Sequence, residues 1–230
     1  MNPLDKPAWS SLTSAHRDLG EGGALARRYA PDVNLFASTG EDTPEALSDL
    51  ADLLAAGDQV FILQVPEIIV PSRLAVLKEA TGVQMVFEDA DLSVHGAEEI
   101  VALDETDAAE MLALATLTEP GPFLPRTHLM GQFWGVHIDG RLAAMAGERM
   151  RFPGFTEVSG VCTHPDFRGR GLARRLSAHV ARQMIARGDR PFLHAWKSNA
   201  AAIGLYESLG FKARAEVNVV VLTRENTGSV

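Results

Sequence analysis

With 230 residues, 46% of them hydrophobic and 22% charged, the chain is long enough to bury a core without disulfides or structural metals. Its 21 basic and 30 acidic side chains leave a net charge of −9, which argues against broad binding to nucleic acid, where Lys and Arg must neutralise phosphates. The single cysteine, Cys162, cannot close an internal disulfide. No apolar run reaches the roughly 18 residues of a membrane span, and residues 1–7 lack a secretory leader's basic and apolar regions, so a cytoplasmic protein without a membrane segment is expected.

The acidity belongs to the first part of the chain: residues 1–95 hold 6 basic and 15 acidic side chains, whereas residues 96–230 hold 15 of each. This first part alternates helical and β-like stretches, an α/β pattern. Thr43 offers an N-cap, Pro44 suits the first helical turn and Glu45 the positive helix end, which predicts a helix through Ala56 ahead of Gly57. A strand over 59–65, a short helix over 72–80 closed near Gly82 and a strand over 83–87 follow. His16 and His95 stand alone and the carboxylates scatter over polar faces, so solvated surface rather than catalysis is expected here. Asp89-Ala90-Asp91 and His95-Gly96 interrupt the apolar pattern and mark an expected boundary near residues 90–97 between an acidic α/β unit, 1–95, and a second domain, 96–230.

Beyond that boundary, 100–103 reads as a strand and 106–117 as a helix with Met111, Leu112 and Leu114 on its apolar side, ended by Glu119-Pro120-Gly121-Pro122. The loop-like or weakly helical stretch 123–131 would touch substrate if it lay beside a site. A strand over 132–138, then Asp139-Gly140, then a strand over 141–150 make a hairpin signal, because Asp-Gly suits the positive φ values of a type I′ turn. Pro153-Gly154 turns into a strand over 157–163. Helix 171–186, strand 191–196, helix 199–209 and strand 216–222 complete the chain before a tail, 226–229, expected to fray. Antiparallel hairpins followed by a β-α-β-α-β run predict a mixed sheet.

The chemistry concentrates in Thr163-His164-Pro165-Asp166-Phe167-Arg168-Gly169-Arg170-Gly171-Leu172-Ala173, which joins a strand to an amphipathic helix. Two glycines let backbone N–H groups converge and the helix adds the positive end of its dipole, which makes an anion site. Seven arginines (Arg168, Arg170, Arg174, Arg175, Arg182, Arg187 and Arg190) against Asp166 and Asp189 make 161–190 locally +5. Such a run is ordinarily a solvated helix face, but this one starts inside the glycine loop. A P-loop is excluded, since no Lys-Ser or Lys-Thr follows the second glycine. A dinucleotide fingerprint finds Gly169, Gly171 and an acid, Asp189, 20 residues beyond Gly169; it fails at the third glycine position, occupied by Arg174, and hairpins precede the loop instead of a βαβ unit. The third candidate ligand is the pyrophosphate of coenzyme A.

Arg168-Gly169-Arg170-Gly171-Leu172-Ala173 resembles the R/Q-x-x-G-x-G/A signature of the GCN5-related N-acetyltransferase (GNAT) superfamily. Val161-Cys162-Thr163-His164-Pro165 is similar to that family's strand leading into the loop, and Asn199-Ala200-Ala201-Ala202-Ile203-Gly204-Leu205-Tyr206-Glu207-Ser208-Leu209-Gly210-Phe211 to its N-x-x-A-x-x-L-Y-x-x-L-G-F block. The resemblance implies an α/β (α+β) fold: a mixed, mostly antiparallel GNAT-like sheet flanked by helices over 97–230, binding acyl-CoA. Residues 1–95 then resemble the degenerate N-terminal half of glycine N-acyltransferase-like enzymes. The family pattern further implies that backbone N–H groups from Arg168 to Ala173 hold the pyrophosphate, nearby arginines assisting. It places Val161, Cys162 and Thr163 on a strand splayed from its neighbour, whose free backbone pairs with pantetheine, and sets the Val161 N–H by the thioester carbonyl as an oxyanion donor. Asn199 and Ala202 join the coenzyme contacts, Asn199 doubling as a helix N-cap.

The reaction so implied moves an acetyl (acyl) group from acetyl-CoA to a primary amine by direct attack, with a base on the amine and an acid on the departing thiolate. Tyr206 matches the family's acid; judged by residue type it equally suits a helix anchor beside Leu205 and Leu209. For the base the resemblance points to Glu157 at the start of its strand, with Glu148 on the preceding strand, or ordered water, as alternatives. Cys162 in an apolar strand reads as packing rather than as an acyl carrier. His128, His137, His164, His179 and His194 show no metal-ligand spacing, and no metal is expected. Trp134 and Trp196 read as core residues, Trp134 on a strand able to line an acceptor cleft. Acceptors rank as a free amino acid or small amine, a peptide N-terminus, then a protein lysine. The competing reading is a non-catalytic acyl-CoA sensor, with the N-terminal unit open to roles as regulatory surface, cleft cap or homodimer contact. Tyr206 and Asn199 favour the enzyme, since a pure binder needs the glycine loop more than the phenol.

Overall fold

A computed structural model describes residues 2–94 and 96–225; His95 and the tail expected to fray lie outside the described residues. The first part of the chain forms α1 (Pro7–Leu12), β1 (Gly20–Gly22), β2 (Ala26–Tyr29), β3 (Ala37–Thr39), α2 (Pro44–Asp52), β4 (Gln59–Gln64) and β5 (Ala75–Phe87). The remainder forms β6 (Val101–Leu103), α3 (Ala108–Thr118), β7 (Phe133–Ile138), β8 (Arg141–Phe152), β9 (Phe155–Thr163), α4 (Leu172–Ala186), β10 (Arg190–Trp196), α5 (Ala200–Glu207) and β11 (Phe211–Thr223). Local signals act where expected. Thr43 Oγ1 accepts from the Ala46 N–H at 3.3 Å to cap α2, and Asp139-Gly140 turns the β7–β8 hairpin with φ of 53° and 73°.

β1, β2 and β3 make a small antiparallel sheet; the other eight strands form one sheet in the order β4-β11-β5-β10-β9-β8-β7-β6. Only β9 and β10 pair in parallel, so the sheet is mixed and mostly antiparallel. The sheet runs across the boundary expected near residues 90–97, because β4 pairs with β11 and β5 lies between β11 and β10, strands that come after residue 189. Residues 72–80 are not the helix that Ala75-Val76-Leu77-Lys78-Glu79-Ala80 suggests. Residues 75–80 open β5, whose ladder with β11 runs from Ala75↔Thr223 to Phe87↔Phe211. Val76 and Leu77 stay exposed, so no apolar helical face was available for burial, and strand pairing overrides helix propensity.

Side-chain alternation sorts the helices onto two faces. On one, Ala144, Ala146, Met85 and Leu193 meet Leu172, Leu176, Val180 and Met184 of α4, with Ile203, Leu205 and Tyr206 of α5 alongside. On the other, Met145 and Cys162 meet Met111 and Leu114 of α3, and Val86, Met150, Phe192 and Val219 meet Leu4, Ala8 and Leu12 around α1. Burial of each large apolar side chain is worth roughly 1.5–3 kcal/mol, so packing and not helix propensity holds the short α1. Trp134 lies in the α4-side core, edge-on to His179, as expected. Trp196 does not: it is 41% exposed at the end of β10.

Candidate active site

β9 and β10 pair only from Arg190↔Phe155 to Phe192↔Glu157, and past that point each strand's facing edge is unpaired. Gly160, with φ of 62°, sits where the register of β9 against β8 shifts, a bulge that bends β9. A cavity of about 830 Å³ occupies the gap, with walls drawn from both faces of the sheet. Toward α4 and α5 it meets Val161, Thr163, Arg168, Gly169, Arg170, Gly171, Leu172, Ala173, Asn199, Ala202 and Tyr206, and Cys162 borders it from the α3 face, so every one of these sequence candidates comes to one place. On the opposite side it meets Phe36, Phe61, Leu63 and Arg149.

The glycine loop has the form its sequence calls for. Gly169 and Gly171 hold φ of 79° and 73°, and open space lies where a Cβ would point, so the requirement is conformational rather than steric. Gly171 is the N-cap of α4, and the N–H groups of residues 169–173 have no acceptor among the described residues. Phe167 anchors the loop from below, with the Arg141 and Arg170 guanidinium groups 5.0 and 5.5 Å from its ring centre. At α5, Asn199 Oδ1 accepts from the Ala202 N–H at 3.1 Å, which leaves its amide N–H groups for a ligand. Burial pushes the Tyr206 phenol up to about 12, with the charge of Glu157 adding to it, so the hydroxyl keeps its proton at neutral pH. Burial likewise pushes the Cys162 thiol up to about 11, which suits packing and not nucleophilic chemistry.

The expected base is placed otherwise. Glu157 is 0% exposed and is not part of the cavity wall. Its carboxylate accepts from Arg149 Nε and Nη2, each at 2.7 Å, and lies 2.7 Å from His194 Nδ1. Burial alone would raise its pKa, but the Arg149 guanidinium, with help from His194, outweighs that and holds it down to about 2. A carboxylate so held neither reaches an acceptor nor takes its proton. Glu148 is also buried and off the cavity, its Oε1 accepting from Arg187 Nη1 at 2.9 Å. The group that does reach the wall is His194, two residues past the last β10 residue that pairs with β9, which spacing along the chain could not single out. Apart from the cavity, Asp107, Glu110 and His137 gather their ligand-type atoms within 4.8 Å of one another, a grouping equally hidden in the sequence.

A family model described as FR47-like protein matches residues 135–220. A solved structure from Novosphingobium aromaticivorans DSM 12444, assigned to the GNAT family of acetyltransferases, is 45% identical with a TM-score of 0.90, covering 98% of this chain and 100% of that one. The chain belongs to the GNAT family. A GCN5-related N-acetyltransferase from Kribbella flavida shares the GNAT fold at 20% identity and a TM-score of 0.65, over 100% of this chain and 97% of that one. The [ribosomal protein bS18]-alanine N-acetyltransferase of Salmonella typhimurium is 42% identical over 74 residues, 32% of this chain and 49% of that protein. The chain thus spans about half the length of such curated relatives. Among the described residues of this GNAT protein no helix is long and apolar enough to cross a membrane.

Proposed function

We propose that the protein is an N-acetyltransferase that moves an acetyl group from acetyl-CoA to a primary amine by direct attack. One observation carries the reading: the unmatched N–H groups of residues 169–173, the unpaired edge of β9 and the Tyr206 phenol converge on a single cavity. The loop N–H groups and Arg168, Arg170 and Arg174 suit the coenzyme's phosphates, and the free edge at residues 161–163 suits its pantetheine amides as an added strand. The Val161 N–H then serves as the oxyanion donor, a role worth about 3–4 kcal/mol in measured cases.

Glu157 acts as a positioning residue for His194. Its carboxylate accepts a hydrogen bond from the His194 Nδ1–H, which leaves Nε2 to carry the ring's lone pair. Gln84 agrees with this tautomer, because Arg214 Nη1 donates to its Oε1 at 2.7 Å while its Nε2 donates to the Leu4 carbonyl at 2.8 Å and lies 3.0 Å from His194 Nε2. An incoming amine displaces the Gln84 contact and gives its proton to His194. As the new C–N bond forms and the C–S bond breaks, the nitrogen's remaining excess proton passes by way of Tyr206 to the departing thiolate, so that amide and free thiol result and the phenol is restored. The alternative, a non-catalytic sensor, gives the His194 and Tyr206 placements no purpose. Calorimetric titration tests the reading: micromolar binding of acetyl-CoA without binding of NAD supports it, and binding of NAD without any acyl-CoA overturns it.

A further inference from the structure

We propose that the acceptor is a free α-amino acid with a bulky apolar or aromatic side chain, its carboxylate on Arg149 and its side chain among Phe36, Phe61, Leu63, Val217 and Val219. The inference rests on the acetyl-transfer reading above and assigns the other end of the same cavity. Across the sheet from α4 and α5, that end is built by β4, β11 and the segment before β3. Phe36 bridges to Phe61, their rings edge to face at 5.9 Å, and Leu63, Val217 and Val219 continue an apolar wall. Such a wall selects for apolar bulk.

Arg149 supplies the polar contact. The residue is 8% exposed, its guanidinium lies 4.8 Å over the Phe36 ring, and Nε and Nη2 are both committed to Glu157. Nη1 has no hydrogen-bond partner among the described residues, although Arg149 forms cavity wall. Nη1 is not among the buried atoms left without a partner, so it is open to solvent, and a ligand oxygen at the wall takes the place of water on it. A carboxylate does so best, because a charge-assisted bond is about twice as strong as a neutral one. Glu157 already balances Arg149, so the pair carries no net charge, which suits a zwitterion. A peptide N-terminus would offer Arg149 a neutral carbonyl instead.

The test uses the full chain, acetyl-CoA and a thiol-release assay with L-phenylalanine, L-leucine, glycine, phenylalaninamide, phenethylamine and a dipeptide that begins with phenylalanine. Phenylalanine and leucine should be acetylated. Phenylalaninamide, phenethylamine and the dipeptide should fall about 10- to 100-fold in kcat/KM, the effect of one charge-assisted hydrogen bond, and glycine at least about tenfold. An amide or dipeptide equal to phenylalanine, or glycine equal to it, overturns the proposal. Arg149→Lys keeps a cation against Glu157 and should erase the preference for acid over amide. Phe61→Ala, which spares that ion pair should Arg149→Lys fail to fold, should erase the preference for bulk while keeping the preference for acid. Acetyl-CoA binding with no amino acid acetylated overturns the acceptor class alone; absence of acetyl-CoA binding overturns the underlying reading as well.

Discussion

Replacing Glu157 by Gln asks whether the buried ion pair under the cavity is a structural keystone. In the folded protein its pKa falls from 4.5 to about 2 because Arg149 and His194 outweigh the cost of burial. That depression is worth about 3 kcal/mol. Because the folded pKa is the lower one, the unfolded chain binds the extra proton, so this stability is complete above about pH 4.5 and is lost as the pH falls toward 2. Gln keeps the shape but leaves the Arg149 guanidinium, with its two 2.7 Å bonds to the carboxylate, without a counter-charge. Removing one partner of a buried pair costs about 3–5 kcal/mol, a loss that a typical 5–15 kcal/mol domain survives in weakened form. Urea unfolding followed by tryptophan fluorescence, at pH 7 and in steps from pH 5.5 to 3, measures both effects. The wild type should lose about 2 kcal/mol more than the variant between pH 5 and 3, so that their curves approach each other. Comparing the two chains cancels other carboxylates held low by partners, such as Asp58 beside Arg28 and Asp166 beside Arg141. A variant as stable as the wild type at pH 7, or pH dependences that run parallel, would refute the reasoning.

Tyr206→Phe should lower kcat about 100-fold with acetyl-CoA affinity kept, since only the proton donor is removed; thiol release and calorimetry separate the two, and an unchanged kcat sinks the acid role. Gly171→Ala forces a side chain onto φ of 73° at the head of α4, which costs about 1–2 kcal/mol. Its melting temperature and acetyl-CoA affinity should both fall, and retention of both would show that the loop does not need this backbone. His16, buried beside Tyr29, has its pKa lowered from 6.5 to about 4 by burial. The unfolded chain therefore takes up the proton first, and stability should drain away as the pH falls from 6.5 toward 4; His16→Gln should flatten that window, and an unaltered pH profile counts against it.

The glycine-loop end of the cavity was legible in the sequence because it is a local construction. Strand, glycine turn, helix N-terminus and the Asn199 cap lie within one stretch of chain, and backbone conformation that only glycine tolerates leaves a direct mark on residue type. The opposite end was not legible, because its parts meet only in the sheet. Glu157, His194 and Gln84 stand on β9, β10 and β5, and no spacing relates them before those strands pair. The burial of Glu157 was hidden for the same reason: its partner Arg149 lies across a β8–β9 register shift that the sequence does not announce. Residues 72–80 failed differently, as a stretch of helix-favouring residues drawn into a long ladder by β11.

The match to residues 135–220 takes in the glycine loop, Arg149, His194 and Tyr206, but not Phe36, Phe61 or Leu63. The cavity wall is therefore shared between the matched stretch, which supplies Arg149, Val217 and Val219, and the first part of the chain, which supplies Phe36, Phe61 and Leu63. The two stretches are joined mechanically as well. Gln84, which sets the His194 ring, is itself set by the Leu4 carbonyl and by Arg214, whose Nη2 donates to Asp5 at 2.5 Å. β5, which carries Gln84, lies between β10 and β11. A chain beginning at residue 96 would strip β10 and β11 of their shared neighbour and His194 of its brace, so the first part of the sequence is an integral wall of the site and not an appendage to it.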